Sequence, residues 1–484
     1  MLKPEIMNGV TIAFLSLVVL VACKNKTKNM EIIEQPTVVS IPEISDEILE
    51  SAVIYEANIR QYSSEGTFEE FTKDIPQLKE LGVKIIWLMP VFPISKTKRK
   101  ATGGDFASLI EDDVVRAKML GSYYAVSDFT KINPEFGTIE DFRKLVSTAH
   151  DNGIYVILDW VPNHTGWDHV WLSEHPDYYT KNSNGEITDP LNDQGEPVGW
   201  ADVADLNYGN EAMQEEMIRD MKHWITEENI DGFRCDMAGM VPLEFWKKAI
   251  PQLRAEKRIF MLAEAWEPQL LKDNLFEMAY AWEGHHLMNA IAKGEKNVND
   301  FDSYIHKMSN DYQETDILMN FITNHDENSW NGTVGERMGD ASEAMQALSF
   351  TMSGMPLIYS GQEYDLDHRL KFFEKDSIPK KKGKIWPLLE KLGYLKNNYP
   401  ALKGGKNAAK YERIETSNNA SILAFQRLKD DSEFIYVANL SKETVDFSFP
   451  ISGEFINALT NETVILNPNV RHFLKPWEYL LLIK

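Results

Sequence analysis

The sequence predicts an α/β protein: a (β/α)8 TIM barrel with a small domain inserted after its third strand and an antiparallel β-sandwich at its C-terminus. Three observations lead there. Eight short apolar runs recur along residues 46–401, each ending in polar residues and followed by a helix-like stretch. A polar tract, 167–204, breaks that rhythm after the third run. From residue 402 to 484 the spacing changes to short alternating segments separated by turn residues.

The runs lie at 52–58, 83–90, 154–161, 231–236, 259–264, 278–282, 319–324 and 355–360. Their length and near-continuous apolar character fit strands buried on both faces, as in a parallel sheet. Start signals open the helices between them. Thr67-Phe-Glu-Glu70 and Thr138-Ile-Glu-Asp141 read as capping boxes, and Gly82 and Gly153 stand where a helix closes before the next strand. Eight such units close a barrel, whose site lies at the C-terminal strand ends. The tract 167–204, rich in Trp, Tyr, Asn, Asp and Gly, reads as a small domain over that mouth. Segments 421–426, 434–438 and 478–483 carry the alternation of the C-terminal β domain.

At the N-terminus, apolar residues 10–22 run directly into Cys23. The run has the length of a signal-peptide core and is short for a membrane span. Leu20-Val21-Ala22-Cys23 resembles a bacterial lipobox, which implies a signal peptide over 1–22 and lipidation of Cys23. A basic and polar stretch follows and reads as a flexible tether over 23–45. The expected location is the cell envelope, in the outer membrane facing the periplasm, because no acidic export run follows the cysteine. Cys235 is the only other cysteine, so no intrachain disulfide is expected. The net charge of −24 disfavours nucleic acid and anionic surfaces and suits a neutral or cationic substrate. The 12 Trp and 18 Tyr include candidate platforms for sugar faces, although most such rings serve as core.

Three carboxylates end strands: Asp236 the fourth, Glu264 the fifth and Asp326 the seventh. Neighbouring strand ends converge, and glycoside hydrolysis needs a carboxylate to attack and an acid to protonate the leaving oxygen. Taken singly, an Asp at a strand end is more often a helix cap or an ion-pair member. Arg234, two residues before Asp236 and on the same strand face, would keep it ionised. His164 and His325 stand at strand ends three and seven, where imidazoles could grip sugar hydroxyls.

These residues carry a resemblance. Asp159-Trp-Val-Pro-Asn-His164, Gly232-Phe-Arg-Cys-Asp236, Leu262-Ala-Glu264 and Phe321-Ile-Thr-Asn-His-Asp326 resemble the four sequence regions of the α-amylase family, glycoside hydrolase family 13. Gly354-Met-Pro-Leu-Ile-Tyr-Ser-Gly-Gln-Glu363 is similar to its eighth-strand segment, and Tyr123-Tyr-Ala-Val-Ser-Asp128 to the stretch whose tyrosine, here Tyr124, stacks on sugar. The resemblance implies a barrel with a domain B and a C-terminal β domain. It implies Asp236 as nucleophile, Glu264 as general acid/base and Asp326 as transition-state stabiliser, with Tyr124, His164, Arg234 and His325 on the substrate. It further implies a retaining hydrolase of α-1,4-linked glucans or malto-oligosaccharides. A transglycosylase or α-1,6-active enzyme on the same residues is the near alternative. A non-catalytic glycan-binding lipoprotein is the distant one. Where many members carry a Lys-His pair after the nucleophile, this chain has Gly239-Met240, so that sugar contact is expected to be absent. Asn163 and Asp205 match two calcium-ligand positions. Either they hold calcium, or they hold the insertion by hydrogen bonds alone. No organic cofactor is implied, and no feature assigns an oligomeric state.

Overall fold

The computed structural model describes residues 41–192 and 194–484. The signal segment, Cys23 and nearly all of the tether lie outside them. Eight parallel strands close a barrel in sequential order: β1 (Val53–Ala57), β2 (Val83–Leu88), β3 (Tyr155–Trp160), β4 (Gly232–Cys235), β5 (Phe260–Ala263), β6 (Met278–Tyr280), β7 (Ile317–Asn320) and β8 (Met355–Tyr359). Side chains alternate between two cores. Ile54, Ile85, Trp87, Tyr155, Ile157, Phe260, Leu262, Met278, Met319 and Leu357 fill the interior, with Ile44 and Leu49 packed among them. Val53, Tyr55, Ile86, Val156, Phe233 and Met261 face the helices. Ser45 caps the short helix that precedes β1, accepting from Ile48 N at 3.3 Å.

Helix Ile139–Asp151 opens with the full reciprocal bonds of Thr138 and Asp141. It closes with Ile154 N on Ala149 O and Gly153 N on His150 O, a Schellman pair that requires the positive φ of Gly153 (+73°). The stretch opened by Thr67 differs from the expected box-capped helix. Thr67 accepts from Glu70 N at 3.4 Å, but the Glu70 carboxylate turns to Lys73. The helix divides into Phe68–Thr72 and Ile75–Glu80, because the Pro76 ring cannot follow the preceding turn.

The tract after β3 is bounded by a two-stranded ribbon, His164–Gly166 against Val203–Asp205. Two further excursions at the strand ends had no counterpart in the sequence reading: 89–137 after β2 and 360–384 after β8. Asp168 accepts from Lys96 N and Thr97 N, and the Lys98 ammonium sits 3.3 Å over the Trp167 ring, so the first excursion is stitched to the insertion.

The C-terminal domain is a six-stranded antiparallel sheet with a two-stranded ribbon, Val445–Phe447 against His472–Leu474. The sandwich is therefore uneven. Leu423, Phe425, Phe434 and Tyr436 pack toward the barrel, while Ile422, Ala424, Ile435 and Val437 pack with Phe447 and Leu474 of the ribbon. Among the described residues no helix is long and apolar enough to cross a membrane.

Candidate active site

The period of two that builds the barrel core also builds the site. On β3 the stripe Tyr155, Ile157 ends in Asp159, on β5 Phe260, Leu262 ends in Glu264, and on β4 it carries Arg234 and Asp236. Registers Asp159↔Arg234 and Arg234↔Leu262 set these ends side by side. Arg234 is wholly buried and gathers them. Its Nη1 donates to Asp159 Oδ1 at 2.8 Å and Asp236 Oδ1 at 3.0 Å, and its Nε donates to the Tyr280 hydroxyl at 3.2 Å. Its Nη2 stands 2.8 Å from Glu264 Oε2 as an ion pair, with the N–H aimed off the line between them. Burial opposes the guanidinium charge, but Asp159 and Glu264 outweigh it.

Met237 N donates to Glu264 Oε2 at 2.9 Å, holding that carboxyl against the turn after β4. Burial and the Glu264 charge push the Asp236 carboxyl well up, with Arg234 opposing them. The two carboxylates thus share one guanidinium, and the Asp236 proton answers to the Glu264 charge as well as to its own burial.

A second network crosses the barrel mouth. The Tyr124 hydroxyl donates to Asp159 Oδ2 at 3.1 Å and lies 2.8 Å from His325 Nε2. The other His325 nitrogen bonds Glu56 Oε1 of β1, and Nε2 is 3.3 Å from Asp326 Oδ2. Burial alone would discharge this imidazole, but Asp326 and Glu56 lift it to about 9. It is therefore a cation at neutral pH, donating from both nitrogens, which leaves the Tyr124 proton for Asp159. Trp87 Nε1 adds a bond to Asp159 Oδ2 at 3.1 Å. Burial lifts Asp159 to about 6 even against the Arg234 and His325 charges.

Asp236, Glu264, Asp326, Tyr124, His164 and His325 line one cleft of about 270 Å³, with Arg234 buried behind its floor. His164, held neutral by burial at about 3, sets its ring edge against Trp200, 5.7 Å away. Residues outside the sequence-derived set complete the walls. Trp330, half exposed, packs on Phe372 at 5.0 Å, and Phe372 lies parallel to Tyr124. Lys100 of the first excursion pairs with Asp202 of the insertion at 3.2 Å. Asp159, Trp87 and Glu56 had a usable signal, because each continues the inward stripe of its strand. Trp200 lies in the Trp-rich tract expected over the mouth, whereas Trp330 and Phe372 stand on connections whose course no local pattern records.

Asn163 and Asp205 meet at the root of the insertion. Leu206 N bonds Asn163 O at 3.2 Å, and Asp205 pairs with His164 across the ribbon. The Asn163 amide nitrogen faces His164 Nδ1 at 3.3 Å, which leaves its oxygen available. Burial, with Asp189 adding to it, lifts Asp205 to about 6, and among the described residues no Lys or Arg reaches it as an ion pair. An amide oxygen and a carboxylate are donor types that a hard cation accepts. Among the described residues no group of three His, Cys, Asp or Glu forms a ligand set, so carbonyl and water oxygens would complete the shell.

A family model described as the α-amylase catalytic domain matches residues 39–386. Alpha-amylase 3 of Dictyoglomus thermophilum is 25% identical over 473 residues, covering 82% of this chain and 86% of that protein. The α-1,4-glucan:maltose-1-phosphate maltosyltransferase of Cereibacter sphaeroides is 22% identical over 440 residues; the match covers 86% of this chain and 63% of that longer protein. Among solved structures, the maltogenic α-amylase AmyB of Thermotoga neapolitana superimposes with a TM-score of 0.78 at 27% identity, covering 90% of this chain and 99% of that one.

Proposed function

Because the chain belongs to the α-amylase family and is a glycoside hydrolase of α-glucans, we propose that it cleaves α-1,4-linked glucans or malto-oligosaccharides with retention, by double displacement at Asp236 and Glu264. The observation that carries this reading is the sharing of Arg234 between the two carboxyl groups. Asp236 Oδ1 is taken by Arg234, leaving Oδ2 to attack the anomeric carbon. Glu264 Oε2 is taken by Met237 N, leaving Oε1 to face the glycosidic oxygen as the acid. As the bond from carbon to the glycosidic oxygen breaks, that oxygen takes the Glu264 proton and the sugar becomes an ester on Asp236. Water then attacks the same carbon, Glu264 removes its proton, and Asp236 is released. Asp326 accepts hydroxyls of the distorted ring. Tyr124 presents its ring to the sugar face, and His164 and His325 meet hydroxyls at its rim.

The test is a residues 24–484 preparation given maltoheptaose, pullulan, cyclodextrin and dextran, with added calcium and with a chelator. Wild type releases malto-oligosaccharides, and Asp236→Asn and Glu264→Gln each lose at least about 10³-fold in kcat. No cleavage of any substrate refutes the enzyme reading in favour of a glycan-binding protein. Equal product from Asp236→Asn refutes the nucleophile assignment. Products longer than the substrate would establish transfer, the activity in the name of the maltosyltransferase relative. A stabilising calcium site at Asn163 and Asp205 is part of the proposal and is read from the melting temperature of wild type against Asp205→Asn. Lipid attachment at Cys23, for a periplasm-facing outer-membrane location, rests on Leu20-Val-Ala-Cys23; Cys23→Ser should shift the full chain from membrane to soluble fraction.

A further inference from the structure

We infer that the Lys100–Asp202 ion pair closes the cleft beyond the sugar that stays on Asp236, so that the enzyme takes its glucan by the non-reducing end. This rests on the hydrolase reading above. Asp236 meets C1 of that sugar and Glu264 meets the oxygen that leaves, so the leaving chain runs out past Glu264. C4 lies across the ring from C1. Its oxygen, which in mid-chain carries the next sugar, therefore points the other way. What stands on that side decides whether a chain can pass through the cleft or must enter by its end.

Three segments stand there, each bonded to the next. The Lys100 ammonium meets Asp202 Oδ1 at 3.2 Å and donates to Gly199 O at 3.5 Å, joining the excursion after β2 to the insertion. The pair is largely buried, with side chains 19% and 8% exposed, and Asp202 makes no other ion pair among the described residues. Parting it would strand a buried carboxylate, so the bridge holds. Beneath it the two segments touch, because a Cβ built on Gly166 would lie 2.3 Å from Ser95 Cβ. On the other flank Thr102 Oγ1 donates to Glu374 Oε1 at 2.6 Å, and Leu120 N to Phe373 O at 2.7 Å. These bonds carry the wall on to the excursion after β8. Trp330, on the turn after β7, continues it by packing on Phe372 and Phe373 at 5.0 and 5.8 Å. Lys100, Asp202, Trp330 and Phe373 all line the cleft, so this arc is its own wall. By contrast β4 and β5 run into short turns, Ala238–Met240 and Pro268–Leu271, which leave the opposite side low. The enclosed volume, about 270 Å³, falls just under the roughly 300–1,000 Å³ usual for ligand pockets and suits a chain end better than a long run of sugars.

The experiment compares kcat/KM for p-nitrophenyl α-maltoheptaoside with that for the same compound carrying an ethylidene bridge on O4 and O6 of its non-reducing end, with products read by chromatography. Wild type is expected to prefer the open-ended chain by about 100-fold or more. Lys100→Ala, and the double variant Lys100→Ala with Asp202→Ala that strands no charge, should narrow that preference at least about tenfold by gaining on the blocked chain. Equal rates for wild type on the two chains overturn the inference. So does a preference that both variants leave unchanged, because the wall would then not depend on this pair. A wild-type protein that cleaves neither chain refutes the hydrolase reading itself, a separate outcome from a changed ratio.

Discussion

His325 meets Glu56, Tyr124 and Asp326 with its two nitrogens, and as a cation it donates from both. Its folded pKa of about 9 stands above the ordinary 6.5. A raised base binds more protons in the folded state, so the stability it lends is complete below pH 6.5 and is lost as pH rises through 9. The size is on the order of 3 kcal/mol. Urea unfolding at pH 6.5 and 9.5 should therefore show wild type losing more stability between the two than His325→Asn, by about 2–3 kcal/mol. Equal losses would mean that the imidazole is neutral throughout. The kcat of wild type should fall over the same alkaline range, because Tyr124 and Asp326 lose their donor together.

At the scale of elements, two glycines with positive φ carry very different weight. Gly153 (+73°) closes its helix with no heavy atom within 4 Å of a built Cβ, so Gly153→Ala meets only the left-handed backbone penalty. That is about 1 kcal/mol, read by denaturant unfolding, with activity retained. Gly232 (+149°) opens β4 opposite Phe260, and a Cβ there would stand 1.9 Å from Phe260 O. Gly232→Ala must force β4 from β5 and dislodge the strand that carries Arg234 and Asp236. Soluble, active protein from that variant would contradict the packing described. Asp326 is followed by a π-helical turn, Glu327–Asn331, which turns Trp330 into the cleft. His285, Arg337 and Asn331 anchor Glu327 and hold it near 2 despite partial burial.

For the whole molecule, the join between barrel and C-terminal sheet relies on buried cations bonded to carbonyls. Arg427, wholly buried, donates to Thr351 O, Lys403 O and Ala409 O at 3.0, 2.8 and 3.2 Å. Lys396 donates to Gly354 O and Leu402 O, both at 2.8 Å. Burial draws Arg427 down to about 10 and Lys396 well below the usual lysine range. Removing Arg427 takes this donor from Thr351 O and Ala409 O, whereas Lys403 O keeps its bond from Ala409 N. Arg427→Leu should therefore cost about 3 kcal/mol or more, seen as a lower melting temperature, while kcat of the folded variant keeps its wild-type value. A lowered kcat at full stability would instead tie this join to the cleft.

Residue pattern alone determined the strands, their order and the strand-end groups, since these follow from period-two alternation within single segments. Asp236 sits two residues beyond Arg234 in any strand, and Glu264 two beyond Leu262. The tertiary structure decided which groups share a proton and what walls the cleft. Glu56 and His325 are 269 residues apart, and only barrel closure makes them partners. Phe372 reaches Tyr124 because Arg60 donates to Phe372 O, and Gln61 to Lys371 O and Glu374 O, pinning the excursion after β8 to the end of β1. Lys100 meets Asp202 only because two excursions face each other. Such contacts depend on how loops pack over a scaffold, and no local periodicity records them.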